Sequence, residues 1–284
     1  MVYVSAESQD GRVYKSGVVF AKEENTTYIF TIHSSDLNEI SVTLDSGLTI
    51  PAEFVGRDDE TGLTLLKVEE DFEINPLRLG DSGLIEQGEY NILLGGRRSQ
   101  TASSPVSFGI VTEPGQRRLN GYAWSVETLE TDALTNEEFV GGGMFDIGGE
   151  LIGIVIDTPT GTYDSVGYGI GVNEAKIIYQ QLLEGEITRG ALGIVARNVE
   201  SLRAYEKNVL NIALDQVDGV LVMNTYGISD DLLQQGDIIT AIDNTLIPSI
   251  SSMTELLYKH NAGDEVKVQF IRNGEEMEEE IELQ

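Results

Sequence analysis

Along the first part of the chain, from Gly17 to about Val172, apolar residues gather in short runs: SGVVFA, YIFTI, ISVTL, AEFVG, LTLLKV, YNILLGG, SFGIVT, AWSVETLE, ELIGIVI and YGIGV. Turn clusters such as DSG, DDETG and DIGG separate them. β-Branched and aromatic residues pack well on a pleated surface, and no helical period alternates with these runs. The pattern therefore predicts an all-β sandwich or barrel and not a βαβ sheet. The period then changes. NEAKIIYQQLLE, residues 173–184, carries apolar residues at helical spacing, with Asn at the cap position and Gly185 just beyond, and predicts a connecting helix.

After a boundary within residues 185–190, strands alternate with two predicted helices, DLLQQ at 231–235 and SISSMTELLYKH at 249–260. ALGIVAR, GVLVMN, DIITAID, EVKVQFI and MEEEIEL read as strands. Just under a hundred residues of this kind make a complete small α+β domain. The predicted division is 1–184 and 185–284.

Composition narrows the function without touching the fold. Eighteen basic against 48 acidic residues give a formal charge of −30, which opposes binding to nucleic acid or to an anionic membrane. The acidity is dispersed, with a local peak in EEMEEEIE, and reads as a solubilising surface, not a metal trap. No metal and no cofactor is expected. The absence of cysteine excludes disulfides, thiolate catalysis and cysteine-ligated zinc. No apolar run approaches the roughly 18 residues of a membrane span. No basic segment followed by an apolar one opens the sequence, so an exported form is expected to have lost its targeting segment or anchor.

The order of motifs resembles the HtrA (Deg) family, a trypsin-like double β-barrel followed by one PDZ domain. The resemblance runs through SGVVF, ISVTLDSG, AEFVGRDDETGLTLLKV, LRLGDSGLIEQGEYNILLGG and SFGIV to TDALTNEEFVGGGMFDIGGELIGIV. Serine-protease chemistry needs a hydroxyl nucleophile, an imidazole to take its proton and a carboxylate to orient the imidazole. Aligned on the family's nucleophile loop, Thr131, Asp132, Ala133 and Asn136 fall in register and Val140 takes the serine's place. Gly62 takes the place of the aspartate. His33 lies where the histidine is expected, in a register ambiguous by one residue with Ser34. Asp58, Asp59 and Glu60 read as a solvated turn. Glu137 and Glu138 would oppose an oxyanion at that loop. Ser82, in Gly80-Asp81-Ser82-Gly83, matches the trypsin tetrapeptide but reads as part of a surface turn.

For the second domain, the resemblance implies that RGALGI holds a peptide C-terminal carboxylate on the amides of Leu192, Gly193 and Ile194. The peptide would add beside the edge strand of Ile194, Val195 and Arg197, against a helix carrying Met253 and Leu257. Arg197 is a candidate for reading acidic side chains, and a hydrophobic C-terminal residue is the expected ligand. GDIITAIDNTLI matches the family's most specific PDZ signature, with Asp237 as a structural turn residue and His260 at the helix end as a surface residue.

These substitutions lead to the expectation that the chain is not an enzyme. It would be a pseudoprotease that binds polypeptide C-termini or exposed segments as an adaptor, chaperone-like protein or regulator. The alternatives are an endopeptidase with relocated residues, such as Ser34 or Ser35 beside His33, and a structural subunit of a mixed oligomer. The resemblance further implies a trimeric assembly and an extracytoplasmic location.

Overall fold

The computed structural model describes residues 1–8, 11–33, 38–59, 61–69, 74–97, 103–118, 125–157, 166–185, 187, 190–210, 212–216, 218–225, 227, 229 and 232–284. The chain forms two compact units, Met1–Pro114 with Thr128–Ile187, and Gly115–Glu127 with Thr188–Gln284.

In the first unit, seven strands form one antiparallel sheet: β1 (Val2–Ser8), β2 (Gly11–Glu23), β3 (Thr26–Ile32), β4 (Asn38–Thr43), β5 (Thr49–Pro51), β6 (Glu53–Arg57) and β7 (Leu63–Glu69). Their spatial order is β5-β4-β1-β2-β3-β7-β6. The alternation of the sequence decides which face is inside: Val2, Val4, Val42, Ile29 and Leu66 meet in one buried cluster. β1 was not expected. Its alternating residues are small, so VYVSAES carries little of the strong apolar signal that marks the runs after Gly17.

A 3₁₀ turn at Ser82–Leu84 leads into a second set of strands: β8 (Tyr90–Leu94), β9 (Val106–Arg118), β10 (Ser125–Thr131), β11 (Gly143–Phe145), β12 (Leu151–Ile156) and β13 (Gly167–Gly171). These close into a barrel in the order β10-β13-β12-β11-β8-β9. Leu93, Val111, Leu129, Met144, Ile152 and Val155 fill it. Burying a leucine or isoleucine side chain of this kind contributes about 1.5–3 kcal/mol.

Helix α1 (Val172–Glu184) follows and buries Ala175, Ile178 and Leu182. It ends on Gly185 in the left-handed conformation, as the sequence predicts. Its start differs from expectation. Gly171 is the cap residue and offers no side chain, and Asn173 lies inside the helix. The missing acceptor comes from across the fold: Asn173 N–H donates to Ser82 Oγ at 3.0 Å, and Asn173 Nδ2 donates to Asp81 Oδ1 at 2.6 Å.

The second unit contains β14 (Ile194–Asn198), α2 (Ala204–Val209), β15 (Val220–Thr225), β16 (Ile238–Ile242), β17 (Thr245–Leu246), α3 (Ile250–Leu257), β18 (Glu265–Arg272) and β19 (Glu275–Glu282). The sheet runs β14-β15-β16-β18-β19, with β17 paired to β16, so β14 and β19 are its edges. Asp243 and Asn244 both take positive φ in the two-residue turn joining β16 to β17, the conformation such hairpins require. Of the helix predicted at 231–235, residue 231 lies outside the described residues and 232–235 carry turns and no helix. Leu233 is drawn into the core, and Gln234 N–H is taken by the Asp237 carboxylate, which ends any helical continuation. Helix α2 was not foreseen in AYEKNV. Glu206, three residues after the cap Arg203, accepts the Arg203 N–H at 2.9 Å and supplies its start signal.

Candidate functional site

The first unit brings the three expected triad positions to one place. His33, at the end of β3, donates its backbone N–H to the Gly62 carbonyl at 3.0 Å. Gly62 takes φ +75°, and its own N–H donates to the Asp58 carbonyl at 2.8 Å. The sequence suggested a solvated turn, but Asp58 is buried. It is 2 % exposed, because its Oδ2 accepts the Thr61 hydroxyl at 2.6 Å and the Thr61 N–H at 3.2 Å, folding the carboxylate into the turn. Glu60, Ser34 and Ser35 lie outside the described residues.

The loop carrying Val140 is held against β2 and β3. Ser16 N–H donates to the Val140 carbonyl at 2.9 Å, and Ser16 Oγ donates to the Glu138 carbonyl at 2.6 Å. Val140 is buried, and its isopropyl group has no acid, base or nucleophile character. Gly141 takes φ +80°, and a methyl added there would lie 2.2 Å from the Ser16 carbonyl oxygen and 2.9 Å from Thr31 Oγ1. Only glycine fits this approach. Glu138 N–H donates to Asn136 Oδ1 at 2.8 Å and Phe139 N–H to the Asn136 carbonyl at 3.0 Å, so this turn uses two of its own donors. Ser16 opens the SGVVF motif, but its contacts with the Val140 loop, more than 120 positions away, were not legible in the sequence.

Ser82 is 2 % exposed and serves as the acceptor at the start of α1. This role is structural, but Ser82 is buried and not on the surface as the sequence suggested, because its hydroxyl is drawn under the start of α1. Among the described residues no group of three or more His, Asp or Glu side chains is placed to hold a metal. No helix among them is long and apolar enough to cross a membrane.

In the second unit, Leu192, Ile194, Met253 and Leu257 lie in one buried cluster beneath β14 and α3. Met253 and Leu257 are 2 % and 4 % exposed, so they floor the space between strand and helix, and the less buried Leu256 packs beside them. Gly193 takes φ +66°. The loop before β14 is pinned at its base: Gly190 N–H donates to the His260 carbonyl at 2.9 Å, and Ala191 pairs in both directions with Gln284. No side chain or carbonyl among the described residues accepts the N–H of Leu192 or Gly193. Val195 and Arg197 lie on the opposite face of β14. The Arg197 guanidinium donates to Glu206 Oε1 at 2.7 Å and to Ser201, which commits it to its own domain. Glu206 is held below the usual carboxylate range, first by the Arg203 N–H and then by Arg197.

Asp237, in the GDIITAIDNTLI signature, is 1 % exposed. It accepts the Gln234 N–H at 2.7 Å, the turn role expected of it. It also accepts two bonds from Arg272, Nε to Oδ1 at 2.8 Å and Nη2 to Oδ2 at 2.6 Å, which the sequence did not announce. The guanidinium stands 4.9 Å over the Phe270 ring, and the carboxylate raises the Arg272 pKa.

This is a trypsin-like peptidase fold followed by a PDZ domain. Family models match the chain accordingly, a trypsin-like peptidase domain over residues 15–154 and a PDZ domain over 190–283. The chain thus joins a trypsin-like peptidase domain to one PDZ domain, and its homologues are of the HtrA/Deg family. It is 27 % identical over 295 residues to the serine protease Do-like HtrA of Lactobacillus helveticus, covering 99 % of this chain and 71 % of the relative. It is 30 % identical over 282 residues to the periplasmic pH-dependent serine endoprotease DegQ of Escherichia coli, covering 94 % of this chain and 58 % of the relative. Among solved structures, the HtrA-type protease AlgW with a tripeptide superposes with a TM-score of 0.64 at 23 % identity, over 99 % of this chain and 92 % of the other, which establishes likeness of fold.

These relatives correct the expectation that the chain is not an enzyme. They match nearly its whole length and are named serine proteases. The expectation rested on two positions, Val140 for the serine and Gly62 for the aspartate, assigned by linear register. A nucleophile is defined by the groups that meet in space, and register alone does not decide that.

Proposed function

We propose that this HtrA-family chain captures polypeptides by their C-termini through residues 185–284, with residues 1–184 as the peptidase-type domain to which the captured chain is brought. The observation that carries the reading is the loop before β14. Its Leu192 and Gly193 N–H groups donate to no described residue, and β14 is a sheet edge with α3 alongside. A carboxylate on those amides and a strand added to that edge would satisfy both. Leu192, Gly193, Ile194, Val195, Met253 and Leu257 are the residues assigned to it, and a hydrophobic terminal residue suits the apolar floor. The role is polypeptide quality control outside the cytoplasm, where the periplasmic relatives work, as an adaptor or chaperone-like component in a trimeric or mixed assembly.

A labelled peptide with a free C-terminal carboxylate is expected to bind the full chain at least tenfold more tightly than its amidated form, since one buried charge-assisted contact is worth about 1.5–3 kcal/mol. Equal binding of the two would remove the assignment.

Endopeptidase activity is a second reading, favoured by the named activity of the relatives. It requires a hydroxyl other than one at Val140, and Ser34 and Ser35 beside His33 are the candidates. Cleavage of unfolded casein that is abolished by His33→Ala supports it, and no cleavage overturns it.

A further inference from the structure

We propose that His260 and the two carboxylates facing it, Asp243 and Asp264, form a pH-responsive latch that tightens the carboxylate-binding loop when His260 is protonated. The proposal rests on the peptide-binding reading given above. His260 Nε2 lies 4.0 Å from Asp243 Oδ2 and its Nδ1 lies 3.8 Å from Asp264 Oδ2. Both ring nitrogens therefore look at acceptor oxygens. A neutral imidazole has one N–H and must turn a lone pair toward the other carboxylate, whereas the imidazolium offers a donor to each.

Backbone donors fix the carboxylates. Asp243 Oδ1 accepts the Lys267 N–H at 2.9 Å, and Asp264 Oδ2 accepts the Asn261 N–H at 2.8 Å. The ring therefore moves to them. Among the described residues, the other charges around it include Lys267 on β18, which interacts with Asp243, and Lys259, the residue before, which pairs with Glu255. Residues 190–193, packed on the other side, contain no ionisable side chain.

The link to the ligand is short, one hydrogen bond with a few backbone atoms on either side. The carbonyl of His260 itself accepts the Gly190 N–H, two residues before the Leu192 amide. A side chain is excluded at Gly190, because a methyl there would lie 2.5 Å from Leu283 and 3.2 Å from the His260 carbonyl oxygen. The web continues through Leu283, whose N–H donates to the Asp264 carbonyl and whose carbonyl accepts from Gly263. Locking the ring between Asp243 and Asp264 thus holds the carbonyl that holds the loop.

The test uses the full chain and a fluorescein-labelled decapeptide ending in a free valine carboxylate, titrated between about pH 5.5 and 8. The expected result is affinity about fivefold tighter at the acid end, a coupling at the low end of the usual range. This slope should vanish in His260→Gln and flatten in Asp243→Asn/Asp264→Asn. The chain has two histidines, so the His260 Hε1 NMR signal can be followed in the unmutated protein. Saturating peptide should raise its titration midpoint by about 0.7 of a pH unit, the same fivefold factor seen from the other side. A pH-independent affinity, a slope retained in His260→Gln, or a midpoint unmoved by peptide overturns the latch. If the free-carboxylate and amidated peptides bind alike at every pH, the binding reading itself fails, which is a separate outcome.

Discussion

His33 and Gly62 are joined backbone to backbone, the N–H of one donating to the carbonyl of the other at 3.0 Å, while Gly141 packs against the backbone of Ile32, one residue before His33. Two glycines of positive φ thus lie at the same place, yet they differ in what surrounds them. A methyl at Gly62 would meet its nearest neighbour, the His33 carbonyl oxygen, at 3.5 Å, an ordinary contact. Gly62→Ala is expected to cost about 1–2 kcal/mol, the conformational penalty alone. Gly141→Ala adds a backbone collision and should cost about 3 kcal/mol or more. Urea unfolding of the two variants checks the order, and equal losses would show that the loop yields.

Ser82→Ala removes the acceptor that stands in for a cap at the start of α1. The expected loss is about 1 kcal/mol, as for a local cap, although donor and acceptor are 91 positions apart. Thermal unfolding measures it. Faster hydrogen exchange at Asn173 should accompany the loss.

Asp237→Ala leaves the Arg272 guanidinium without its bidentate partner and the Gln234 N–H without an acceptor. Breaking a buried pair in this way costs about 3–5 kcal/mol, and the residues of the PDZ unit should lose hydrogen-exchange protection first. Removing both partners, as Asp237→Leu/Arg272→Met, should cost less than the single change. The double variant decides whether the pair contributes through attraction or through the penalty of leaving one charge alone.

The Glu206 carboxylate closes the first turn of α2 and is held below its ordinary range by the Arg203 N–H and by Arg197. Because the folded value lies below the unfolded one, its contribution is present in full above the ordinary glutamate range. It is lost as pH falls through the depressed value. Following the Arg203 amide by NMR from neutral to acid pH should show this loss, and Glu206→Gln should remove that acid-range step.

The strands with bulky β-branched runs and the helix α1 were legible because period and residue type agree there. β1 was not, since its alternation is written in small residues, and β5 and β17 are too short to carry a pattern. The turn at 232–235 shows helical propensity overruled by a local side-chain contact, the Asp237 carboxylate taking the N–H of Gln234 three residues before it. At the site, register located His33, Gly62 and Val140 near one another, because the glycines and the TDA motif anchor the alignment. What it could not locate were partners distant in sequence: Ser16 beneath the Val140 loop, Arg272 on Asp237, and Glu206 on Arg197. The error over enzymatic character has the same origin, since two aligned positions, Val140 and Gly62, were asked to decide the chemistry of a three-dimensional cleft.

The two margins of the PDZ sheet invite opposite outcomes when another chain drifts near. β19 lines its rim with Glu275, Glu276, Glu278, Glu279, Glu280 and Glu282, so a second molecule, itself strongly anionic, is repelled before its backbone can zip on. β14 carries no acid and is only five residues long. Fibril-like stacking is thereby discouraged along one flank, while the other stays receptive to a single short guest.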